Sequence, residues 1–259
     1  MKKTKTIKFN KEYGKNLDIL LDNLENHMNV DYIHIYENVL TSDECKEYIS
    51  LFEKYKSKGL TKKGGIGRGN SFQVNLNKKI SDDFFFYPDE DNKEGLNRYV
   101  DLHEKISIYL YAYLLNVGFL DVHYVGLNLE QLKERVKKEN RPTIPSNLIL
   151  EPVKLRKYNK GYGGYHIPHF DKHKLNDGGT GHGGERLVAA ILYLNDMEFG
   201  GETSFPIIKR NIKPKAGRLL MFPAYFTHLH YAKKSEYDKY VLVFHIMETY
   251  LDKLTKKGK

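Results

Sequence analysis

His169 and Asp171 stand two residues apart, a spacing that puts both on one face of a β-strand but not on one face of a helix. A His–carboxylate pair on one face is most of a metal site. A third ligand can come from Phe222-Pro223-Ala224-Tyr225-Phe226-Thr227-His228. His228 and His230 are themselves at i and i+2, so either could point inward, and the residues alone leave that choice open. Two His and one carboxylate form the facial set of non-haem Fe(II) oxygenases, which leaves three coordination positions free. Lys239, eleven residues after His228, opens the strand-like run Lys239-Tyr-Val-Leu-Val-Phe244 and would aim one cation into the same cavity. A buried cation beside such a metal asks for an anionic co-substrate.

The elements that must position these residues read in two parts. Up to about residue 147 the chain is largely helical. Asp31–Tyr36 reads as a strand. Thr41-Ser-Asp-Glu44 has the capping-box spacing and opens a helix to about Tyr55, with Cys45, Tyr48, Ile49 and Phe52 on one face. Leu96–Leu115 repeats apolar residues at helical spacing through Tyr99, Leu102, Ile106, Tyr109, Leu110 and Tyr113. Leu17–Leu24 and Leu127–Lys138 are expected to form shorter helices, and Asn140–Ser146, with Pro142 and Pro145, is a connector. Between the two main helices, Gly59–Asn77 is punctuated by five glycines and reads as a lid loop. It cannot be a phosphate-binding loop of the usual kind, since no Gly-Lys-Ser/Thr follows.

From Leu148 onward short strands alternate with Gly/Pro/Asn turns: Val153–Tyr158, His166–Asp171, Arg186–Leu194, Thr203–Ile207, Arg218–Phe222 and Tyr240–Met247. Short antiparallel strands of this kind build a barrel or jelly roll rather than βαβ units. The expected architecture is α+β, a double-stranded β-helix with the N-terminal helices packed on one sheet. Its parts would be an N-terminal extension (1–30), one domain (31–251, with helical support and lid to 147 and the catalytic β core from 148), and a basic tail (252–259).

Composition bounds the partners. The 42 Lys+Arg against 33 Asp+Glu give +9, which permits a nucleic-acid partner, yet the charges fall in scattered pairs such as Lys62-Lys63 and Lys137-Lys138 rather than one stripe. Cys45 is the only cysteine, so no internal disulfide forms, which suits a reducing compartment. Neither an apolar signal segment nor a membrane span is visible, and a cytoplasmic location is expected.

Beyond spacing, the ordered set Tyr158-Asn-Lys-Gly161, Gly164-Tyr165, His169-Phe-Asp171, Arg186, Ile191-Leu-Tyr193-Leu-Asn195-Asp196, Gly200-Gly-Glu-Thr203-Ser-Phe-Pro206, Pro214, Gly217-Arg-Leu-Leu-Met-Phe-Pro223, His228 and Lys239 resembles the core of the 2-oxoglutarate/Fe(II)-dependent oxygenases, and within them the prolyl hydroxylases. The strand-then-helix opening at 31–55 is similar too. The resemblance implies Fe(II) held by His169, Asp171 and His228, the last selected by the Phe-Pro-x4-His spacing of that family. It implies 2-oxoglutarate with its C5 carboxylate on Lys239 and Tyr193, Tyr158 near the co-substrate beside the metal, and Thr203 as a further contact. Arg186 falls where the family places an Arg near its substrate peptide, and Tyr165 is a further candidate for the rim of a substrate groove. The implied reaction hydroxylates prolyl residues of a protein, using O2 and yielding succinate and CO2, with ascorbate as an accessory. The alternatives are the same chemistry on nucleic acid or on another side chain, a zinc hydrolase, and a metal-free jelly-roll binding module. Nucleic-acid demethylases of this chemistry carry Arg after the distal His, and this chain has no Arg beyond Arg218. Six residues after Lys239, prolyl hydroxylases commonly place a Trp in the co-substrate pocket; here His245 stands, which implies a smaller, more polar wall.

Overall fold

The structure, a computed structural model, describes residues 32–66, 73–87, 93–119, 148–172, 174–175 and 184–249. The N-terminal extension, the short helices expected at Leu17–Leu24 and Leu127–Lys138, the Asn140–Ser146 connector, the centre of the Gly59–Asn77 loop and the basic tail lie outside these residues. The chain divides into two compact units, one of 33–99 with 147–259, the other of 1–32 with 100–146.

The first unit carries the site. Its larger sheet contains β1 (His34–Tyr36), β2 (Lys62–Lys63), β4 (Asp82–Phe86), β6 (Val153–Tyr158), β9 (Gly184–Tyr193), β12 (Leu219–Pro223) and β14 (Lys239–Thr249). They run in the order β1-β12-β9-β14-β6-β4-β2, with β5 (Leu148–Leu150) on β14 and β8 (Lys174–Leu175) on β9. A second sheet orders β11 (Arg210–Ile212), β10 (Thr203–Phe205), β13 (His230–Ala232), β7 (Gly164–His169) and β3 (Lys79–Ile80). Every pairing is antiparallel among the described residues. Two antiparallel sheets whose inner faces share one cavity fit the jelly-roll reading.

Strands β9 and β14 form the spine of the larger sheet, paired from Val241–Tyr193 to Thr249–Gly184. Their near-continuous Val/Ile/Leu/Ala content matches burial on both faces. Leu192, Leu219, Leu220, Phe222, Leu242 and Phe244 are wholly buried. Phe205 reaches across from the second sheet to Phe222, with ring centroids 5.0 Å apart and nearly perpendicular.

Helix α1 (Ser42–Ser57) starts at the capping box that the sequence spells: the Thr41 Oγ1 accepts from the Glu44 amide, and the Glu44 carboxylate accepts from the Thr41 amide. That reciprocal closure of two free amides contributes about 1 kcal/mol. Tyr55 stacks on Phe84 at 4.0 Å, Phe52 meets Tyr240 at 5.8 Å and Tyr48 meets Phe86 at 6.3 Å. One aromatic stripe of α1 therefore contacts β4 and β14.

Helix α2 (Lys93–Asn116) spans the join of the two units. In the second unit its residues from Leu102 on include the expected apolar face, and Ile108, Tyr111, Ala112 and Leu114 are buried as well. The Tyr113 hydroxyl donates to the Tyr32 carbonyl at 3.2 Å. No helix among the described residues is long and apolar enough to cross a membrane.

Candidate active site

The β6 sequence Val-Lys-Leu-Arg-Lys-Tyr alternates, and period two sends Lys154, Arg156 and Tyr158 to one side of the strand. That side lines a cavity of about 680 Å³, walled also by Asp83 and Phe85 of β4, Lys239, Val241, Val243 and His245 of β14, Tyr165 and His169 of β7, and His230 of β13. Charged groups on the inner face of a jelly roll are costly unless paired or awaiting a ligand, and this cavity holds both kinds.

At its metal end, His169, Asp171 and His230 bring one ligand atom each to within 4.8 Å of one another. Strand β7 ends at His169, two residues earlier than the sequence suggests, and Asp171 lies just past it. The His169 Nε2 is 3.8 Å from one Asp171 oxygen, and the His230 Nε2 is 3.5 Å from the other. Each ring is set by its other nitrogen: His169 Nδ1 bonds the Ile167 carbonyl and His230 Nδ1 bonds the His228 carbonyl, both at 3.0 Å. Donation through Nδ1 leaves the Nε2 lone pair as a ligand, the arrangement in which imidazoles hold metals. Tyr165 stacks on the His169 ring at 3.6 Å and limits its rotation.

The expectation of His228 as distal ligand is corrected here. The chain after Pro223 does not run straight but closes a 3-10 turn at Phe226–His228, with the His228 amide bonded to the Tyr225 carbonyl. The turn takes His228 out of strand register, and its Nδ1 bonds the Thr227 hydroxyl at 2.8 Å. His230 opens β13 directly opposite His169, where cross-strand partners share a face. Family spacing selects His228, whereas the pairing register puts His230 beside His169 and Asp171.

Burial, then the nearby His230, holds the His169 pKa down to about 3, so the ring is neutral. Burial alone would raise Asp171, but His245, His230 and His169 around it hold the carboxylate well below its usual range. Behind Asp171 runs a buried chain that sequence reasoning missed. Arg186 donates two bonds of 2.7 Å to Glu151 and a third to the Asp171 backbone carbonyl at 3.2 Å. His245 sits between the two acids, its Nδ1 3.5 Å from Glu151 and its Nε2 3.3 Å from Asp171. Both distances are too long for full hydrogen bonds, and both His245 nitrogens are buried. Arg186 is thus committed to Glu151 and Asp171 rather than free for a substrate peptide. Burial and the adjacent Arg186 lower the His245 pKa. Glu151 is unremarkable in the sequence, since Leu-Glu-Pro resembles a turn; only the contrast of His245 with an otherwise apolar strand hinted at the pair.

At the other end Lys239 is buried, donates to the Gly201 carbonyl, and has its Nζ 5.3 Å and 5.4 Å from the Tyr158 and Tyr193 ring centroids. Among the described residues no carboxylate pairs with it; Glu202 acts only through space. Burial is the main cause that lowers its pKa to about 7. The Tyr193 hydroxyl and Thr203 Oγ1 share a 2.7 Å bond beside it. Between the ends, Arg156 forks onto Asp83 with bonds of 2.7 and 2.6 Å and touches the Tyr158 hydroxyl at 3.3 Å. Lys79 donates to the Gly65 carbonyl at 3.0 Å and lies 3.8 Å from Asp83; burial lowers its pKa to about 7. Lys239, Tyr193, Tyr158 and Thr203 thus lie together at this end.

Comparison with known proteins places this geometry. Residues 153–247, most of the β core that holds the site, match the model of the 2OG-Fe(II) oxygenase superfamily. A curated relative, a probable prolyl 4-hydroxylase 10 of Arabidopsis thaliana, is 34% identical over a stretch covering 21% of this chain; the matched part spans a quarter (25%) of that relative's length. Two solved structures share the fold. A Pseudomonas putida prolyl-4-hydroxylase aligns with a TM-score of 0.54 at 16% identity, covering 88% of this chain and 97% of its own. A Trichoplax adhaerens prolyl hydroxylase, solved with a hypoxia inducible factor oxygen degradation domain peptide fragment, aligns at 0.53 and 17% identity, covering 92% and 91%.

Proposed function

We propose that the chain is an Fe(II)- and 2-oxoglutarate-dependent dioxygenase that hydroxylates prolyl residues of a protein or peptide. The observation that carries this is the pairing, in one cavity, of a two-His, one-carboxylate group with a buried lysine that makes no ion pair with a carboxylate among the described residues. A zinc hydrolase needs the first feature and has no use for the second.

The donor set fits the metal. Two imidazoles whose Nδ1 atoms face backbone carbonyls, leaving Nε2 toward the site, and one ionised carboxylate, His169, His230 and Asp171, suit Fe(II) and leave positions for other ligands. With 2-oxoglutarate and O2, such a centre supplies oxidative decarboxylation to succinate and CO2 and hydroxylation of an unactivated C–H bond. The protein's own part is positioning. Lys239 receives the distal carboxylate of the co-substrate, Tyr193 and Thr203 offer hydroxyls to the same end, and Tyr158 walls it off from water. Glu151, His245 and Arg186 hold Asp171 in orientation from behind. An extended prolyl segment is stiff and lacks an amide N–H, so it can approach the open end at small entropic cost. Ascorbate fits as an accessory reductant that keeps the metal ferrous.

The test is to incubate the protein with Fe(II), 2-oxoglutarate and proline-containing peptides, then follow succinate and the peptide mass. Peptide-stimulated succinate and a gain of one oxygen atom on proline are expected. Succinate stimulated only by methylated nucleic acid would overturn the substrate class and keep the metal site.

A further inference from the structure

The cavity's cations fall into two groups. Arg156 and Arg186 each fork onto a buried carboxylate, Lys79 binds a backbone carbonyl, and Lys239 faces the co-substrate end. Lys154 has none of these. It lines the cavity, and among the described residues it makes no hydrogen bond or ion pair; its Nζ lies 5.9 Å from the Phe85 ring centroid. Burial and the nearby Arg186 and Arg156 lower its pKa to about 8, while Glu151 and Asp83 act only from a distance. The two arginines spend their charge on those acids, so among the described residues nothing answers Lys154.

Its place in the sheet says which ligand it can serve. On β14, Lys239 pairs with Tyr158 and Val243 pairs with Lys154, so four residues of strand separate the two lysines' positions. At about 3.3 Å per residue that is roughly 13 Å. That separation of backbone positions exceeds the length of a five-carbon diacid, which sets Lys154 apart from the Lys239 site. Phe85 of β4 lies across from Lys154 and gives that end an apolar wall.

Resting on the prolyl hydroxylase reading above, we propose that Lys154 binds a carboxylate of the substrate itself, so that the favoured peptide carries an acidic group beside the target proline. The carboxylate could belong to an Asp or Glu side chain or to a free C-terminus, and synthetic peptides separate the two.

Four peptides are compared with the iron-loaded protein: proline next to Glu, proline next to Gln, a C-terminal proline as free acid, and the same as amide. The expected result is a KM about ten- to a hundredfold lower for one acidic member of a pair than for its neutral twin, the range for a charge-assisted bond. Whichever pair shows it names the carboxylate. In K154M that preference should vanish while the KM for 2-oxoglutarate stays put, and K154E should favour proline next to Lys. Equal KM values across all four peptides overturn the inference and leave the prolyl hydroxylase reading standing. A raised 2-oxoglutarate KM in K154M also overturns it, by moving Lys154 to the co-substrate. Hydroxylation of none of the four, with succinate formed on nucleic acid, removes both.

Discussion

The two ends of the cavity handle charge in opposite ways. At the Asp171 end the groups around the metal ligands face opposite charge: Arg186 forks onto Glu151, His245 lies between Glu151 and Asp171, and Asp171 faces His169 and His230. At the Lys239 end a buried ammonium hydrogen-bonds, among the described residues, to a backbone carbonyl alone. A metal needs ligands that are already ionised and fixed before it arrives, so the protein supplies the counter-charges and orients them. An anionic co-substrate brings its own charge, and a lysine prepaired with a carboxylate would have to lose that partner first. The difference between satisfied and unsatisfied charge thus separates the part of the site that is permanent from the part that is completed by a ligand.

The sharpest break removes a ligand from the satisfied end. His230→Ala or Asp171→Ala should abolish both succinate formation and tight binding of Co(II) or Mn(II), measured by calorimetry. His228→Ala should keep metal binding, since that ring lies in the 3-10 turn and bonds Thr227. Loss of metal in the His228 variant with retention in His230→Ala would restore the spacing-based assignment.

A milder break acts through the chain behind Asp171. Glu151→Gln keeps the shape but removes the charge opposite Arg186 and His245. A fall of about 10–100-fold in metal affinity is expected, the range for partners that orient a ligand. If affinity holds while thermal stability drops, the Arg186–Glu151 pair supports the sheet and not the metal.

At the unsatisfied end the expectation splits activity from stability. Lys239→Met should raise the 2-oxoglutarate KM about a hundredfold, the worth of a desolvated charge-assisted bond. The same variant should be at least as stable as the parent at neutral pH. Burial holds the folded Lys239 near pKa 7 against an ordinary 10.5, so between those values the unfolded chain binds the extra proton and the native lysine is a cost. Lower stability together with an unchanged KM would mean that Lys239 serves packing alone.

How much of this was legible beforehand follows the same division. The strands of the β core and the capping box at Thr41 could be read because period-two patterning and local hydrogen bonds are written in adjacent residues, whereas the grouping of Lys239 with Tyr193, Tyr158 and Thr203 was implied by the family resemblance alone. The distal ligand could not, because it depends on which residue of β13 lies opposite His169, and the 3-10 turn that sets this has no strong local signal. Glu151 was invisible for a related reason. Its partner Arg186 is 35 positions away and meets it only once β5, β14 and β9 are paired. The inward charges at Lys154 and Arg156 were readable in principle, as cations at alternate positions of a strand whose opposite face carries Val153 and Leu155.

The smallest expected effect is a pH slope, and it sharpens the contrast between the ends most directly. Free Lys239 titrates near pH 7, while a bound 2-oxoglutarate carboxylate would favour its charged form and raise that value. Binding therefore takes up a proton whenever the pH is above about 7, and affinity must fall as pH rises. Between pH 7 and 8 the protonated fraction of a group with pKa 7 drops about fivefold, and the apparent Kd should rise by the same factor. The measurement is 2-oxoglutarate binding to the Mn(II)-loaded protein without peptide, which keeps Lys154 and turnover out of the signal. Lys239→Arg supplies the control, because a guanidinium stays charged throughout this range. The slope should be present in the parent and absent in the arginine variant. A slope that survives in Lys239→Arg would assign the proton to the metal end, and the two ends would then differ in geometry but not in how they hold charge.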